Sequence, residues 1–255
     1  MTKTHIVFTD THFHPGMDFS FVDYLPKLIA DVKPDAVVNV GDTADMASLC
    51  TYDRGTRSFQ GRNYTADVTA ANEGQDRIYF PLKKRKKKQP FYLGLVGNHD
   101  QRINKAIELS PELDGAISLR DLNLEHYNNE VVYYNGSTPG VYCLDGIYYA
   151  HYLISGILGR AISGEHPAHS ILMKQGASCV VGHQHTIDFC SRVSIDGRRK
   201  CAAVAGTFSN HVPAYAGGGS NLWWRGVLVL RGIDGSGYFE PEFISIERLI
   251  DVYKN

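Results

Sequence analysis

The sequence predicts an α/β or α+β fold in which two packed sheets are flanked by helices. Short apolar runs alternate with helix-spaced segments in the first half of the chain, and hairpin signals accumulate in the second. The chain has 255 residues, of which 43% are hydrophobic and 21% charged, so it can bury a sizeable core. We expect a single domain over residues 1–255, with a polar, basic insertion at about 51–89 and a β-rich portion at about 186–250.

Runs of apolar and β-branched residues of strand length recur along the chain. In order they are Ile6 to Phe8, Ala36 to Val40, Phe91 to Val96, Ile147 to Ala150, Ser178 to Val181, Ala202 to Ala205 and Gly226 to Leu230. Each run is followed by glycine or polar residues, which favours strands that end in loops.

Helical spacing and turn residues occupy the intervals between these runs. Helices are predicted within Phe21 to Val32 and over His166 to Gln175, where the following glycine is placed to end the second helix. Asp145-Gly146 and Asp196-Gly197 predict tight hairpin turns, and Asp234-Gly235 repeats the pattern. The glycine-rich segment 213–221 predicts an irregular loop.

Composition excludes several classes of protein. Five cysteines without a Cys-x-x-Cys pair argue against a disulfide framework and against a thiolate zinc site. The first residues lead into an apolar run too short for a signal peptide, and no stretch is long enough to span a bilayer, so we expect a cytoplasmic protein without a membrane partner. The formal net charge of -1 conceals one basic run, Lys83 to Lys88.

Residue types that bind metals follow the predicted strands directly. An unpartnered polar group at an interior strand end costs several kcal/mol, so strand ends of this kind require a shared partner. Carboxylate, amide and imidazole ligands without sulfur suit Mn²⁺, Fe or Zn²⁺, and a bridging carboxylate can hold two ions about 3.5–4 Å apart. The residues concerned are Asp10, His12, Asp42, Asp45, Asn98, His99, Asp100, His151, His183 and His185.

In their order along the chain these residues resemble the five-block pattern of the calcineurin-like metallophosphoesterases. The blocks are Asp10-Thr-His12, Gly41-Asp42-Thr-Ala-Asp45, Gly97-Asn98-His99-Asp100, a lone His151 and Gly182-His183-Gln-His185. The resemblance covers residues 8 to 185. It implies a four-layer fold, a two-sheet β-sandwich with helices on both outer faces.

The resemblance also implies a role for each position. Asp10, His12 and His185 would bind one metal; Asn98, His151 and His183 would bind a second; Asp42 would bridge the two. His99 would be the general acid, oriented by Asp45. The implied cofactors are two divalent ions, with Mn²⁺ favoured and Fe, Zn²⁺ or Ni²⁺ as alternatives, and a bridging hydroxide would attack phosphorus in line with the leaving group.

The chain also departs from the family pattern. The protein-phosphatase branch has a phosphate-gripping arginine directly after the second aspartate of the Gly-Asp block, where this chain has Met46, so a serine/threonine phosphatase is not indicated. Arg54, Arg57 and Arg62 in the insertion are candidate substrate ligands, or else solvated surface residues. His211 is a further candidate.

Three functional hypotheses remain open at this point. The first is a phosphodiesterase or nuclease, in which the basic run Lys83 to Lys88 binds a nucleic-acid backbone or is simply a solvated loop. The second is a phosphomonoesterase for a nucleotide or small phosphorylated metabolite. The third is a non-catalytic nucleic-acid-binding protein, which the intact Asp42, Asn98 and His99 argue against. The sequence does not indicate an oligomeric state.

Overall fold

Two main sheets form the framework of the protein, as predicted. The computed structural model describes residues 2–85, 87–211 and 214–254, without the side chains of 214–216. The six-stranded sheet has the order β13-β12-β1-β2-β3-β4, the five-stranded sheet has the order β10-β11-β9-β6-β5, and β7 pairs with β8. The strands are β1 (Lys3–Phe8), β2 (Ala36–Asn39), β3 (Phe91–Leu95), β4 (Glu130–Val132), β5 (Val141–Leu144), β6 (Ile147–Ala150), β7 (Ile154–Ser155), β8 (Arg160–Ala161), β9 (Cys179–Val181), β10 (Ile187–Val193), β11 (Arg199–Ala205), β12 (Gly226–Ile233) and β13 (Glu240–Ser245).

Helices connect these strands. The α-helices are α1 (Leu25–Val32), α2 (Tyr64–Lys83), α3 (Arg102–Leu109), α4 (Leu124–Tyr127), α5 (Pro167–Gln175) and α6 (Ile246–Tyr253). Short 3₁₀ helices occupy Val22–Tyr24, Ala47–Leu49, Arg57–Phe59, Pro111–Leu113, Leu119–Leu122 and Ala214–Leu222. The last of these corrects the prediction of an irregular loop: Gly217, at φ +49°, breaks the helix without abolishing it. Pro213 lies outside the described residues.

The two sheets pack face to face and carry helices on their outer faces, which gives the four layers that the resemblance implies. Alternate strand residues divide between the two sides, since successive side chains in a strand point to opposite faces. Val7 packs between the sheets with Tyr149, whereas its neighbour Ile6 faces the helices. On the far side, Ile171 of α5 packs against Val204 of β11.

Parallel pairing brings the important strand ends to one edge. β2 lies between β1 and β3, parallel to both, and β9 lies between β6 and β11, again parallel to both. The carboxyl ends of these six strands therefore open towards the same end of the sandwich, where loops can converge on a site.

Local signals explain where several elements end. Gly176, at φ +63°, ends α5 as predicted, because glycine adopts the left-handed conformation without a Cβ clash. Asp145 and Gly146, at φ +51° and +81°, form the predicted two-residue turn between β5 and β6. The hairpin turn predicted at Asp196-Gly197 is confirmed between β10 and β11, where the Gly197 N–H donates to the Ser194 carbonyl at 2.9 Å and Gly197 adopts φ +77°.

The 51–89 segment contains a long helix as well as polar loops. Asn63 caps α2 by accepting a hydrogen bond from the Ala66 N–H, and Ile78 and Tyr79 are buried in the core beneath the six-stranded sheet. The basic run follows at the amino end of β3, and Lys86 within it lies outside the described residues. With five residues in β3, this run lies roughly 17 Å or more from the loops at the carboxyl ends.

Candidate metal centre

Backbone hydrogen bonds join the loops that follow β1 and β2. The Asp10 N–H donates to the Gly41 carbonyl at 2.9 Å, and the His12 N–H donates to the Asp42 carbonyl at 3.0 Å. The two loops thus continue the pairing of the strands from which they emerge. Their polar side chains are held on a rigid base, which suits a binding site.

Left-handed backbone conformations are concentrated among the predicted metal ligands. A non-glycine residue in this region costs on the order of 1–3 kcal/mol and persists only where the surrounding structure imposes it, commonly at functional sites. The residues and their φ values are Asp10 (+51°), His12 (+44°), Asp42 (+51°), His183 (+69°) and His185 (+59°). This concentration marks the loop cluster as strained.

The glycines before the ligands serve two different purposes. Gly41, at φ +104°, provides the turn that the sequence predicts. Gly97 and Gly182 do not need positive φ; they are small because a Cβ at Gly97 would collide with Asp42, and one at Gly182 would collide with Thr9 and Asp10. Close approach of the loops, rather than a special turn, therefore explains these two positions.

Asp10, His12 and His185 form the first ligand group. Nε2 of His185 lies 3.1 Å from Oδ1 of Asp10 and 3.1 Å from Nε2 of His12. Nε2 of His12 is 3.6 Å from the same Asp10 oxygen. All three side chains are buried. Two ring nitrogens and one carboxylate oxygen thus converge on one point.

A second group surrounds the other carboxylate. Nε2 of His151 lies 3.3 Å from Oδ2 of Asp42 and 3.0 Å from Oδ1 of Asn98, and His183 offers a further ring nitrogen within 4.8 Å of the Asp42 and His151 ligand atoms. Oδ2 of Asp42 is also 3.8 Å from Nε2 of His12 in the first group. Asp42 therefore stands between the two groups, where a bridging ligand belongs.

Hydrogen bonding at His151 tests whether these residues fit a metal. Its Nδ1 lies 3.0 Å from the Val40 carbonyl and can only donate to it, so in the neutral ring Nε2 carries a lone pair. That lone pair faces acceptor oxygens of Asp42 and Asn98. A histidine held in this way by a backbone carbonyl, with its other nitrogen among acceptors, fits a cation.

The pKa shifts of the buried histidines also indicate that the neighbouring carboxylates favour positive charge at this site. Burial opposes the charged form of His12, yet the carboxylates of Asp10 and Asp45 raise the pKa of this histidine to about 10. Burial likewise opposes the charged form of His151, whose pKa Asp42 raises to about 9. The pKa of Asp42 is held well below its usual value, against burial, by His151 and His99. Such a site accommodates divalent cations with nitrogen and oxygen ligands.

Comparison with known proteins identifies the family. The model of the calcineurin-like phosphoesterases matches residues 4–196, which include all the ligand loops. This chain belongs to that family. It is therefore a hydrolase of phosphoester bonds, from a family that depends on metals. The Gene 54 protein of Mycobacterium phage L5 is 24% identical over 259 residues, 96% of this chain and 94% of the phage protein.

Solved structures of phosphoesterases are similar at low sequence identity. A metallophosphoesterase from Sphaerobacter thermophilus has a TM-score of 0.44 and 10% identity, covering 100% of this chain and 95% of that chain. The phosphoesterase Yfce from E. coli has a TM-score of 0.42 and 12% identity, covering 95% and 93%. The nuclease MPE from Pseudomonas putida has a TM-score of 0.38 and 13% identity, covering 93% and 87%.

His99 and Asp45 form a pair beside the ligand groups of this phosphoesterase. Nδ1 of His99 lies 2.9 Å from Oδ1 of Asp45 and 2.9 Å from the Asp45 carbonyl. Burial lowers the pKa of His99, while the charge of Asp42 opposes that shift. His99 is thus held by the Asp45 carboxylate through Nδ1, while its Nε2 points away from that carboxylate. This is the geometry of an oriented acid or base.

Asp100 connects the loops that follow β2 and β3. Its carboxylate accepts hydrogen bonds from the Gly97 N–H at 2.9 Å, the Ala44 N–H at 2.9 Å and the Thr43 N–H at 3.3 Å. Burial, followed by the charge of Asp42, raises the pKa of Asp100 to about 6, and the backbone bonds oppose that shift. Asp100 therefore connects the backbone of the second block to that of the third.

A cavity of about 580 Å³ opens next to the His99–Asp45 pair. Arg62 and His211, two of the candidate substrate ligands, line this cavity. Arg62 is already bound to Asp53 at 2.7 Å. Arg54 and Arg57 are exposed on the preceding segment and are not among the described residues that line the cavity. The structure thus brings part of the candidate substrate set to the site.

Aromatic side chains border the ligand groups. The Trp223 ring lies edge-on to His185 at 4.3 Å between centroids, and Tyr152 lies 4.8 Å from the ring of His183. Trp224 packs instead against Phe243. Trp223 is therefore part of the rim of the metal centre, and both tryptophans are half-buried.

One residue in direct contact with His99 and Asp45 was not predicted from the sequence. Arg102 begins α3 and lies 3.1 Å, through Nη2, from Nε2 of His99. Because His99 lies in the turn before α3, the spacing of the two residues in the sequence does not by itself predict this contact. No helix of the described chain combines the length and apolarity needed to cross a membrane.

Proposed function

We propose that this phosphoesterase hydrolyses phosphodiesters at a centre of two divalent ions, with His99 as the general acid. The observation that supports this most directly is the position of His99, which is held next to both ligand groups by Asp45, a residue that lines a cavity. The proposed ligands are Asp10, His12 and His185 for one ion, Asn98, His151 and His183 for the other, and Asp42 for both.

The charges of the ligands suit this reaction. When bound, two divalent ions neutralise the phosphate oxygens and lower the pKa of water, so that hydroxide is available near neutral pH. Asp10 and Asp42 contribute two negative charges against about four positive ones, and the remaining positive charge attracts the substrate. His99 in its protonated form donates to the leaving oxygen, while Asp45 stabilises the charged ring.

The residue at position 46 favours a diester over a monoester. The cavity of about 580 Å³, which Asp45 lines beside His99, offers room for the organic leaving group that both ester classes carry, so it does not distinguish them. Met46 is fully buried in the core, so the position that carries an arginine in the protein-phosphatase branch offers no cation to a terminal phosphate. The Lys83 to Lys88 run lies at the opposite end of β3, so it does not strengthen the case for a nuclease over other diesterases.

Comparison of three substrate classes tests the proposal. Purified protein with Mn²⁺ is offered a chromogenic phosphodiester, the matching phosphomonoester, and single-stranded or duplex DNA. We expect the diester to be hydrolysed faster than the monoester, and His99→Ala to lower kcat about 10²–10⁴-fold. Asp42→Asn should abolish activity. The matched control is His169→Ala, an exposed histidine on α5, which should retain full activity.

Two results would overturn the proposal. Full activity in EDTA or in Asp42→Asn would end the metal mechanism. Faster hydrolysis of the monoester would instead assign the protein to the phosphomonoesterases, with the metal centre retained.

A further inference from the structure

Arg102 is placed between the catalytic pair and the cavity. Its Nη1 donates to the Asp45 carbonyl at 2.8 Å, and its Nη2 donates to Nε2 of His99 at 3.1 Å. Its side chain is 18% exposed and lines the cavity. The guanidinium is thus fixed at one end and faces the substrate side at the other.

Arg102 contacts the nitrogen of His99 that faces the expected leaving group. Arginine can only donate hydrogen bonds, so Nε2 of His99 accepts here while Nδ1 donates to Asp45. During general-acid catalysis the same Nε2 must donate to the leaving oxygen. Nη2 of Arg102 therefore lies on the side of His99 that the leaving oxygen must approach. An ester oxygen that binds beside the two nitrogens can accept from both His99 and Arg102, because it has two lone pairs.

The backbone that holds Arg102 also supports a substrate-binding role for this residue. Met46, where the protein-phosphatase branch has arginine, turns into the core at φ +47°. The carbonyl just before it, that of Asp45, is the one that holds Nη1 of Arg102. A guanidinium carried by α3 is thus anchored beside the position from which that arginine is missing.

Charge pairing separates Arg102 from the other arginine of the cavity. Arg62 donates to the Ala47 carbonyl and to the Asp53 carboxylate at 2.9 and 2.7 Å, which uses its charge internally. Among the described residues, the carboxylate oxygen nearest to the Arg102 guanidinium is Oδ1 of Asp45. It lies 4.0 Å from Nη1, which is too far for a hydrogen bond. Its charge is therefore the one most available to an anion in the cavity.

We propose that Arg102 is the substrate-binding arginine of this site, donating to the phosphoester on its leaving-group side together with His99. The inference rests on the proposed function, since it places the leaving group next to His99. A guanidinium binds phosphate oxygens through a planar fork of donors, which an ammonium group cannot reproduce.

Kinetic and binding measurements on Arg102→Ala and Arg102→Lys test the proposal. With Mn²⁺ and the chromogenic diester, we expect kcat/KM to fall about 100-fold in the alanine variant, as for loss of one well-placed donor, and lysine to restore only part of it. Calorimetric titration of the Mn²⁺-loaded proteins with inorganic phosphate should show a Kd raised at least about tenfold in the alanine variant. Arg77→Ala, which removes a half-exposed arginine paired with Asp23 and Glu73, is the matched control.

The two measurements keep this inference separate from the proposed function. An unchanged phosphate Kd with lowered kcat would show that Arg102 only positions His99, and would overturn substrate binding. Unchanged kcat/KM and Kd would overturn it as well. If the wild type hydrolysed no diester, the proposed function would fail, and the phosphate titration alone would still decide whether Arg102 binds the anion. Melting curves of each variant verify that it is folded.

Discussion

His5 is a buried histidine near the amino end of β1, away from the metal centre. Its Nδ1 lies 2.8 Å from the Tyr149 hydroxyl, and its Nε2 lies 3.1 Å from Oδ2 of Asp145. These contacts link the two sheets. Burial lowers the pKa of His5 below 6.5, although Asp145 works in the opposite direction. The residue therefore prefers to be neutral in the folded protein.

The pKa of His5 predicts how its contribution to stability depends on pH. Because its pKa is lower in the folded than in the unfolded state, the unfolded chain binds more protons around pH 6.5, and stability is lost as pH falls. We expect the melting temperature of the metal-free wild type, minus that of His5→Gln, to decrease between pH 7.5 and 5.5. Differential scanning calorimetry in EDTA measures it, with the exposed His169→Gln as control. A difference independent of pH would contradict the assignment.

The convergence of the proposed ligand residues could be predicted from the sequence, because donor types directly after strands are visible in the order of residues. The left-handed conformations of Asp10 and His183 could not be predicted, since aspartate and histidine adopt positive φ more often than most residues but still only in a small minority of positions. Arg102 was missed for another reason. Its role depends on the distance between its guanidinium and Nε2 of His99, which only the packing of α3 against the Asp45 loop determines.

At the scale of elements, close approach between loops shapes the metal centre. Gly182 follows β9, and its Cα faces Thr9 and Asp10 at the end of β1. The Thr9 hydroxyl donates to Oδ2 of Asp10 at 2.6 Å, and the His183 N–H donates to the same oxygen at 2.9 Å. Asp10 is thus oriented by the loop after β9, which carries His183 and His185.

Gly182→Ala should therefore impair metal binding more than folding. The added methyl group has to displace Asp10, so we expect Mn²⁺ affinity to fall at least about tenfold, in the range seen when the partners of ligand residues are lost. Isothermal titration calorimetry with Mn²⁺ measures this. Gly218→Ala is the matched control, because an added Cβ there meets no atom within 4 Å. Equal affinities in the two variants would show that the Gly182 contact does not orient Asp10.

The predicted strands were found because each combines apolar composition with a polar or glycine-rich end. The insertion was harder to interpret. Its charged residues predict a surface segment, whereas Ile78 and Tyr79 of α2 pack into the core. Periodicity is weak in this helix because polar Asp67 and Gln75 are also buried, so tertiary packing rather than local pattern determines its buried face.

For the whole molecule, the site exists only when both sheets are assembled. β1, β2 and β3 of one sheet supply Asp10, Asp42 and Asn98, while β6 and β9 of the other supply His151 and His183. An unfolded chain cannot bring these residues together, because they are separated by up to 173 positions along the chain. We therefore expect metal binding by the proposed ligands to be coupled to the packing of one sheet on the other.

This coupling predicts a large effect of metal on thermal stability. A ligand at 100 times its Kd stabilises the folded state by about 2.7 kcal/mol. Each kcal/mol raises Tm by about 2–4 °C in a chain of this size. Saturating Mn²⁺ should therefore raise Tm by roughly 5–10 °C for each ion bound. Asp42→Asn should reduce the rise to less than about half, because Asp42 contacts both ligand groups. Scanning calorimetry with Mn²⁺ and with EDTA measures the shift for each protein relative to its own metal-free form, and the exposed Asp196→Asn should behave as wild type. An equal rise in Asp42→Asn would mean that the ions bind elsewhere, since the carboxylate between the two groups could then be neutralised without consequence.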